Sequence, residues 1–196
     1  MQTQKIIKLA RSRGVIRATD VVAAGACRTL LPHLVTKGVL RRISRGAYAL
    51  ADYLPEHEAF LAAATAVPRG VICLLSALQF HEITTQMPMH TWLAVERGVG
   101  MPTCRGLHLQ IVTLTGPAFA EGIEEHDTDG ARIRVYSPAK TVVDCFKFRN
   151  RIGLDVACEA LRDALQQKKT TRDDIWRMAQ CCRMARVMRP YLEMTP

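Results

Sequence analysis

Three short apolar segments, each closed by a glycine, constrain how this chain can begin. Ile6, Ile7, Leu9 and Ala10 form one helical face that ends at Gly14. Asp20-Val21-Val22-Ala23-Ala24, with Thr19 as a cap, stops at Gly25. Leu30, Leu31, Leu34 and Val35 make the buried face of a third helix from about Arg28 to Lys37, ended by Gly38. Glycine adopts the left-handed conformation that closes a helix without the steric cost of a Cβ, so the spacing predicts three compact helices. Pro32 falls near the start of the third, where its missing N–H costs least. Val39-Leu40-Arg41-Arg42-Ile43 and Ala47-Tyr48-Ala49-Leu50 then read as two strands around Ser44-Arg45-Gly46. Helix, helix, turn, helix and hairpin in that order predict a winged helix-turn-helix over residues 1–54.

Charge points the same way. The chain has 196 residues and a net charge of +9. Ten of its Lys and Arg residues lie in the first 55 positions, against only Asp20 and Asp52, whereas the remainder is nearly balanced. A basic module joined to a neutral body suggests a polyanion partner, double-stranded DNA first. In a winged helix the third helix enters the major groove and the hairpin follows the backbone or minor groove. That assigns Arg28, Thr29, His33, Thr36 and Lys37 to the groove, Arg41, Arg42 and Arg45 to the hairpin, and Arg17 to the same basic surface.

Composition shifts at Ala51-Asp52-Tyr53-Leu54-Pro55-Glu56, so a second domain is expected over 55–196. Its Glu56–Ala66 segment reads as an alanine-rich helix and Val71–Phe80 as a buried helix capped by Gly70. Strands are expected at Thr91–Val95 and Leu107–Val112. Ile123–Asp127 and Arg132–Tyr136 flank Asp129-Gly130, a hairpin signal. Ser137 and Pro138 open a helix carrying Val142, Val143 and Phe146. Leu154, Cys158, Leu161 and Leu165 mark one face of another. Thr171 with Asp174 caps a third that buries Ile175, Met178, Ala179 and Cys182. The overall expectation is α+β: an N-terminal winged helix-turn-helix, then a mixed α+β domain with a helical end.

On that last helix, Arg172, Arg183 and Arg186 fall in a narrow arc beside Trp176 at 100° per residue. They are a candidate second polyanion or partner surface, although a solvated face with draped arginines suits the same spacing. Within Lys140-Thr141-Val142-Val143-Asp144 the four-residue separation favours a helix-surface ion pair.

Catalytic signatures are weak. His81-Glu82-Ile83-Thr84-Thr85 places Thr85 where a zinc motif needs its second histidine. There is no phosphate-cradling G-x-x-x-x-G-K loop and no G-x-S-x-G elbow, and His33, His57, His81, His90, His108 and His126 lack ligand spacing. The expectation is a non-enzyme with no catalytic residue, metal or cofactor; a metal-dependent nuclease using Glu82, Glu96 and Asp144 is the enzyme alternative. The seven cysteines contain no C-x-x-C pair and read as small core residues in a reducing compartment. No run approaches the roughly 18 apolar residues of a membrane span, so a cytoplasmic protein is expected.

The string Arg41-Arg42-Ile43-Ser44-Arg45-Gly46-Ala47-Tyr48 resembles the wing of AbiEi-type antitoxins. Gly70-Val71-Ile72-Cys73-Leu74-Leu75-Ser76-Ala77-Leu78, then His81, Thr84 and Thr85, then Ser137-Pro138-Ala139-Lys140-Thr141-Val142-Val143-Asp144-Cys145-Phe146 and the tail from Arg149 to Leu192 extend the likeness over nearly the whole chain. The resemblance implies a bacterial regulator encoded beside a nucleotidyltransferase-like toxin. Its winged helix would repress the shared promoter at repeated operator sites, as a homodimer or by cooperative binding, and its second domain would counter the toxin, with or without direct contact. The competing reading is an interaction protein whose winged helix docks a toxin or RNA.

Overall fold

The computed structural model describes residues 2–44, 46–84, 86, 88–99, 107–129 and 131–195. Arg45, Thr85 and Gly130, singled out above, and Cys104, one of the seven cysteines, lie outside the described residues. The chain divides into two compact units and is mixed α+β.

The first unit runs to Pro68 and takes in His126–Ile133. It contains α1 (Gln2–Arg13), β1 (Val15–Arg17), α2 (Ala18–Ala23), α3 (Leu30–Thr36), β2 (Leu40–Ser44), β3 (Ala47–Leu50) and α4 (Glu58–Ala66). The expected stripes do the packing: Ile6, Ala10, Val21, Leu31 and Leu34 form one buried cluster with Ile16 and Leu40. Gly38, at φ +69°, turns the chain so that the Val39 N–H reaches the Leu34 carbonyl at 3.0 Å. β1 is an addition to the expected elements. It pairs antiparallel with β3, Val15 opposite Ala49, to give the sheet order β1-β3-β2. α2 starts one residue before Thr19: the Asp20 carboxylate accepts the Arg17 N–H at 2.8 Å and takes the capping role.

The unit extends beyond residue 54 because α4 is tied to β2. Arg41 on β2 donates to Glu58 on α4 at 2.5 and 2.8 Å. Asp129, within His126–Ile133, is bonded into the same unit: the Tyr53 hydroxyl donates to the Asp129 carboxylate, and the Val15 N–H to the Asp129 carbonyl at 2.9 Å.

The second unit comprises most of Arg69 onward. The five-stranded sheet has the order β6-β5-β4-β8-β7, from β4 (Val71–Ile72), β5 (Thr91–Glu96), β6 (Leu109–Leu114), β7 (Ile123–Thr128) and β8 (Ala131–Tyr136). β5 pairs parallel with β6, Thr91 opposite Leu109, and β4 pairs antiparallel with β5 and parallel with β8. Its helices are α5 (Leu74–Phe80), α6 (Pro117–Ala120), α7 (Pro138–Lys147), α8 (Arg149–Ile152), α9 (Leu154–Gln166), α10 (Arg172–Cys181) and α11 (Ala185–Met194).

Three expectations are corrected here. The apolar run at 71–80 is not one helix: Val71 and Ile72 form the central strand, and the Cys73 N–H still bonds the Trp92 carbonyl at 3.1 Å before α5 begins. α9 buries Ala157, Ala160, Leu161 and Ala164, whereas Leu154 is 43% exposed and Cys158 and Leu165 are half-buried, so its inward face is rotated toward the alanines. The Lys140–Asp144 pair exists but is internal. α5, α9, α10 and α11 all pack on α7, and every residue from Ala139 to Phe146 is buried.

The caps of α7 and α10 are as expected, with Ser137 accepting from the Lys140 N–H at 3.4 Å and Thr171 from the Asp174 N–H at 3.1 Å. Among the described residues, no helix is long and apolar enough to cross a membrane.

Candidate nucleic-acid interface

The outward face around α3 is built by elimination. Leu31 and Leu34 face the core, which turns Arg28, Thr29, His33, Thr36 and Lys37 to solvent, all of them exposed. Arg28 and Thr29 lie in the turn leading into α3, and Lys37 closes it. The Thr36 hydroxyl donates back to the Pro32 carbonyl at 3.1 Å, leaving its oxygen as an acceptor.

Beside Thr29 is Cys27, which is exposed rather than a core residue. Its sulfur lies 3.0 Å from the Thr29 hydroxyl. That contact, with Arg28 nearby, holds the thiol below its ordinary range. Cys73, Cys145 and Cys182 are buried as expected, and burial pushes the Cys73 and Cys145 thiols up.

The rest of the basic surface divides into paired and unpaired cations. Arg17 is exposed at the end of β1. Arg42 is exposed on β2, its Nε donating to the Ser44 carbonyl at 3.2 Å. Arg41, expected beside Arg42 as a hairpin contact, points the other way into Glu58 and the Tyr53 carbonyl. Arg13 lies 3.3 Å from Asp20, so the acid of α2 is ion-paired.

α1 adds residues the sequence reading missed. Lys5, Lys8 and Arg11 are exposed along it at three-residue spacing. Lys5 Nζ stands 4.0 Å from where a Cβ on Gly25 would be, beside the α2–α3 turn. Gln2 accepts the Cys27 N–H at 3.4 Å, which brings the start of α1 to the start of α3. The signal was present, because the apolar stripe of α1 leaves this cationic stripe outward.

The C-terminal arginine arc does not hold together. α10 ends at Cys181, Arg183 takes a left-handed φ of +58°, and Arg186 belongs to α11. One hundred degrees per residue therefore does not relate them. Arg172 donates to the Leu192 carbonyl at 3.2 Å and to the Thr195 carbonyl, capping α11. Trp176 is half-buried against the core.

The carboxylates of the nuclease alternative are separated in environment: Glu82 and Glu96 are exposed and Asp144 is fully enclosed with Lys140. Burial pushes the Asp144 carboxyl up against the opposing pull of Lys140. Among the described residues no three His, Cys, Asp or Glu side chains are grouped to share a metal ion.

The first unit thus sets four helices on a three-stranded antiparallel sheet, with exposed cations at both ends of its third helix. Residues 4–51 match the family model described as transcriptional regulator, AbiEi antitoxin. That span runs from within α1 to just past β3. The fold of the whole chain is similar to the crystal structure of the RV2827C protein from Mycobacterium tuberculosis, with a TM-score of 0.62 at 12% identity over 97% of this chain and 77% of that one. No curated protein matches the chain.

Proposed function

We propose that this chain is a DNA-binding transcriptional regulator and antitoxin that represses its own operon in the cytoplasm and counters a nucleotidyltransferase-like toxin without catalysing a reaction. In this reading the first unit is a winged helix-turn-helix, α3 the recognition helix and β2–β3 the wing. The observation that carries it is a set of exposed cations on the first unit with no carboxylate partner among the described residues: Arg28 and Lys37 at the two ends of α3, Lys5 beside the α2–α3 turn, Arg17 on β1 and Arg42 on β2. Arg28, Thr29, His33 and Lys37 would supply donors to base edges and phosphates, and the surrounding cations the salt-dependent affinity. The match of residues 4–51 supports the regulator and antitoxin role.

A reporter driven by the DNA upstream of the gene tests the reading in cells. Expression should fall when the wild-type chain is supplied and recover when Arg28 and Lys37 are both replaced by alanine. Equal expression with and without the wild-type chain would contradict autorepression and favour an interaction protein that docks a toxin or RNA.

A further inference from the structure

β2 carries Arg41 and Arg42 in succession, and alternation along a strand sends neighbours to opposite faces. Arg42 stays exposed. Arg41 turns to α4, where Nη1 and Nη2 donate to the two Glu58 carboxylate oxygens at 2.5 and 2.8 Å. Its Nε and Nη2 also donate to the Tyr53 carbonyl at 3.1 and 2.8 Å. Four of the five N–H donors of a guanidinium are thereby used. A planar fork is the strong, bidentate geometry an arginine forms with a carboxylate or a phosphate, and here the carboxylate holds it. One Nη1 N–H is left over, so a forked two-bond contact with a phosphate requires Arg41 to release Glu58.

We infer that Glu58 is a positioning residue that withholds Arg41 from nucleic acid and braces the β2–β3 hairpin against α4. The hairpin then offers Arg42 to a polyanion while Arg41 is held. Glu58 lies beyond the family match, which ends at residue 51, so the working module reaches into α4. The inference rests on the nucleic-acid reading of this unit, and it sharpens that reading: two adjacent arginines of equal charge have unequal roles.

The test uses the full chain and fluorescent double-stranded oligonucleotides, one carrying the upstream DNA and one a scrambled sequence of equal length. Binding is measured across a series of salt concentrations. Each neutralised phosphate contributes about 0.9 to the slope of log K against log salt. Glu58→Gln keeps the side chain's shape and removes its charge. It should steepen the slope by about one on both duplexes and tighten binding at low salt, and adding Arg41→Ala should abolish that gain. Arg41→Ala alone should leave the wild-type slope unchanged.

An unaltered slope in Glu58→Gln overturns the inference, because a merely structural glutamate would lower the melting temperature and leave the slope alone. A fall of about one in Arg41→Ala also overturns it, and that variant answers even if Glu58→Gln fails to fold. Equal affinity of the wild-type chain for both duplexes defeats the operator reading while the slopes remain measurable. Absence of binding to either duplex defeats both.

Discussion

The Lys140 ammonium and the Asp144 carboxylate meet one helical turn apart with neither side chain reaching solvent, at 0% and 1% exposure. The Tyr136 ring lies beneath Lys140, 4.1 Å from Nζ to its centroid, and Asp144 Oδ1 has no hydrogen-bond partner among the described residues. Removing one member strands the other charge in the core. Lys140→Met and Asp144→Asn should each destabilise by about 3–5 kcal/mol in urea denaturation, with the pair Lys140→Met and Asp144→Leu regaining most of the loss. Single-variant losses below about 1 kcal/mol, the range of an exposed pair, would contradict an enclosed one.

Gly14 and Gly38 share a left-handed backbone, φ +75° and +69°, in different surroundings. A Cβ on Gly14 would meet the Tyr53 ring at 2.7 to 2.9 Å, whereas Gly38 has open space. Gly38→Ala should cost about 1–2 kcal/mol, the conformational penalty alone. Gly14→Ala should cost clearly more, because the ring bonded to Asp129 must also move. Equal losses in thermal melts would mean that Tyr53 yields freely.

The Tyr53 phenol is pushed up to about 12 by its hydrogen bond to Asp129, with burial and the Asp129 charge adding to it. A phenol raised on folding contributes stability that is complete below its ordinary value of 10.0 and is lost as pH rises to about 12. Ultraviolet titration should therefore show one phenol ionising near 12 that returns toward the ordinary range in Asp129→Asn. An unchanged titration in that variant would remove Asp129 as the cause.

Cys27 is the exposed cysteine among the described residues and has a thiol held low by the Thr29 hydroxyl. Thiolate is the reactive form, so labelling should be faster at Cys27 than at Cys73, Cys145 or Cys182, and should persist to lower pH than for an ordinary thiol. Thr29→Val should shift the rate profile to higher pH. Mass spectrometry after brief maleimide exposure checks both; a profile indifferent to Thr29 contradicts the assigned cause.

The first 50 residues were the most legible because each helix there is short, glycine-closed and striped, so one period and one stop signal define it. β1 was not, since three residues between two helices show no period and acquire strand form only from pairing with β3. The run from Val71 to Phe80 is apolar throughout, and periodicity cannot divide such a run between strand and helix. On α9 the larger Leu154 and Leu165 suggested the inward face, whereas the small Ala157, Ala160 and Ala164 occupy it against α7. In the candidate site, the exposed faces of α1 and α3 follow from their apolar stripes. The capture of Arg41 by Glu58, seventeen positions away, depends on tertiary packing that no local pattern encodes.

Sequence-selective DNA binding through α3 is tested most directly by fluorescence anisotropy of the full chain on its upstream DNA and on a scrambled duplex, with Arg28→Ala beside the wild type. Wild-type binding should be tighter on the upstream duplex, and Arg28→Ala should narrow that preference by about 1–3 kcal/mol if Arg28 reads a base edge. Equal affinity for the two duplexes, with Arg28→Ala indistinguishable from wild type, would contradict it.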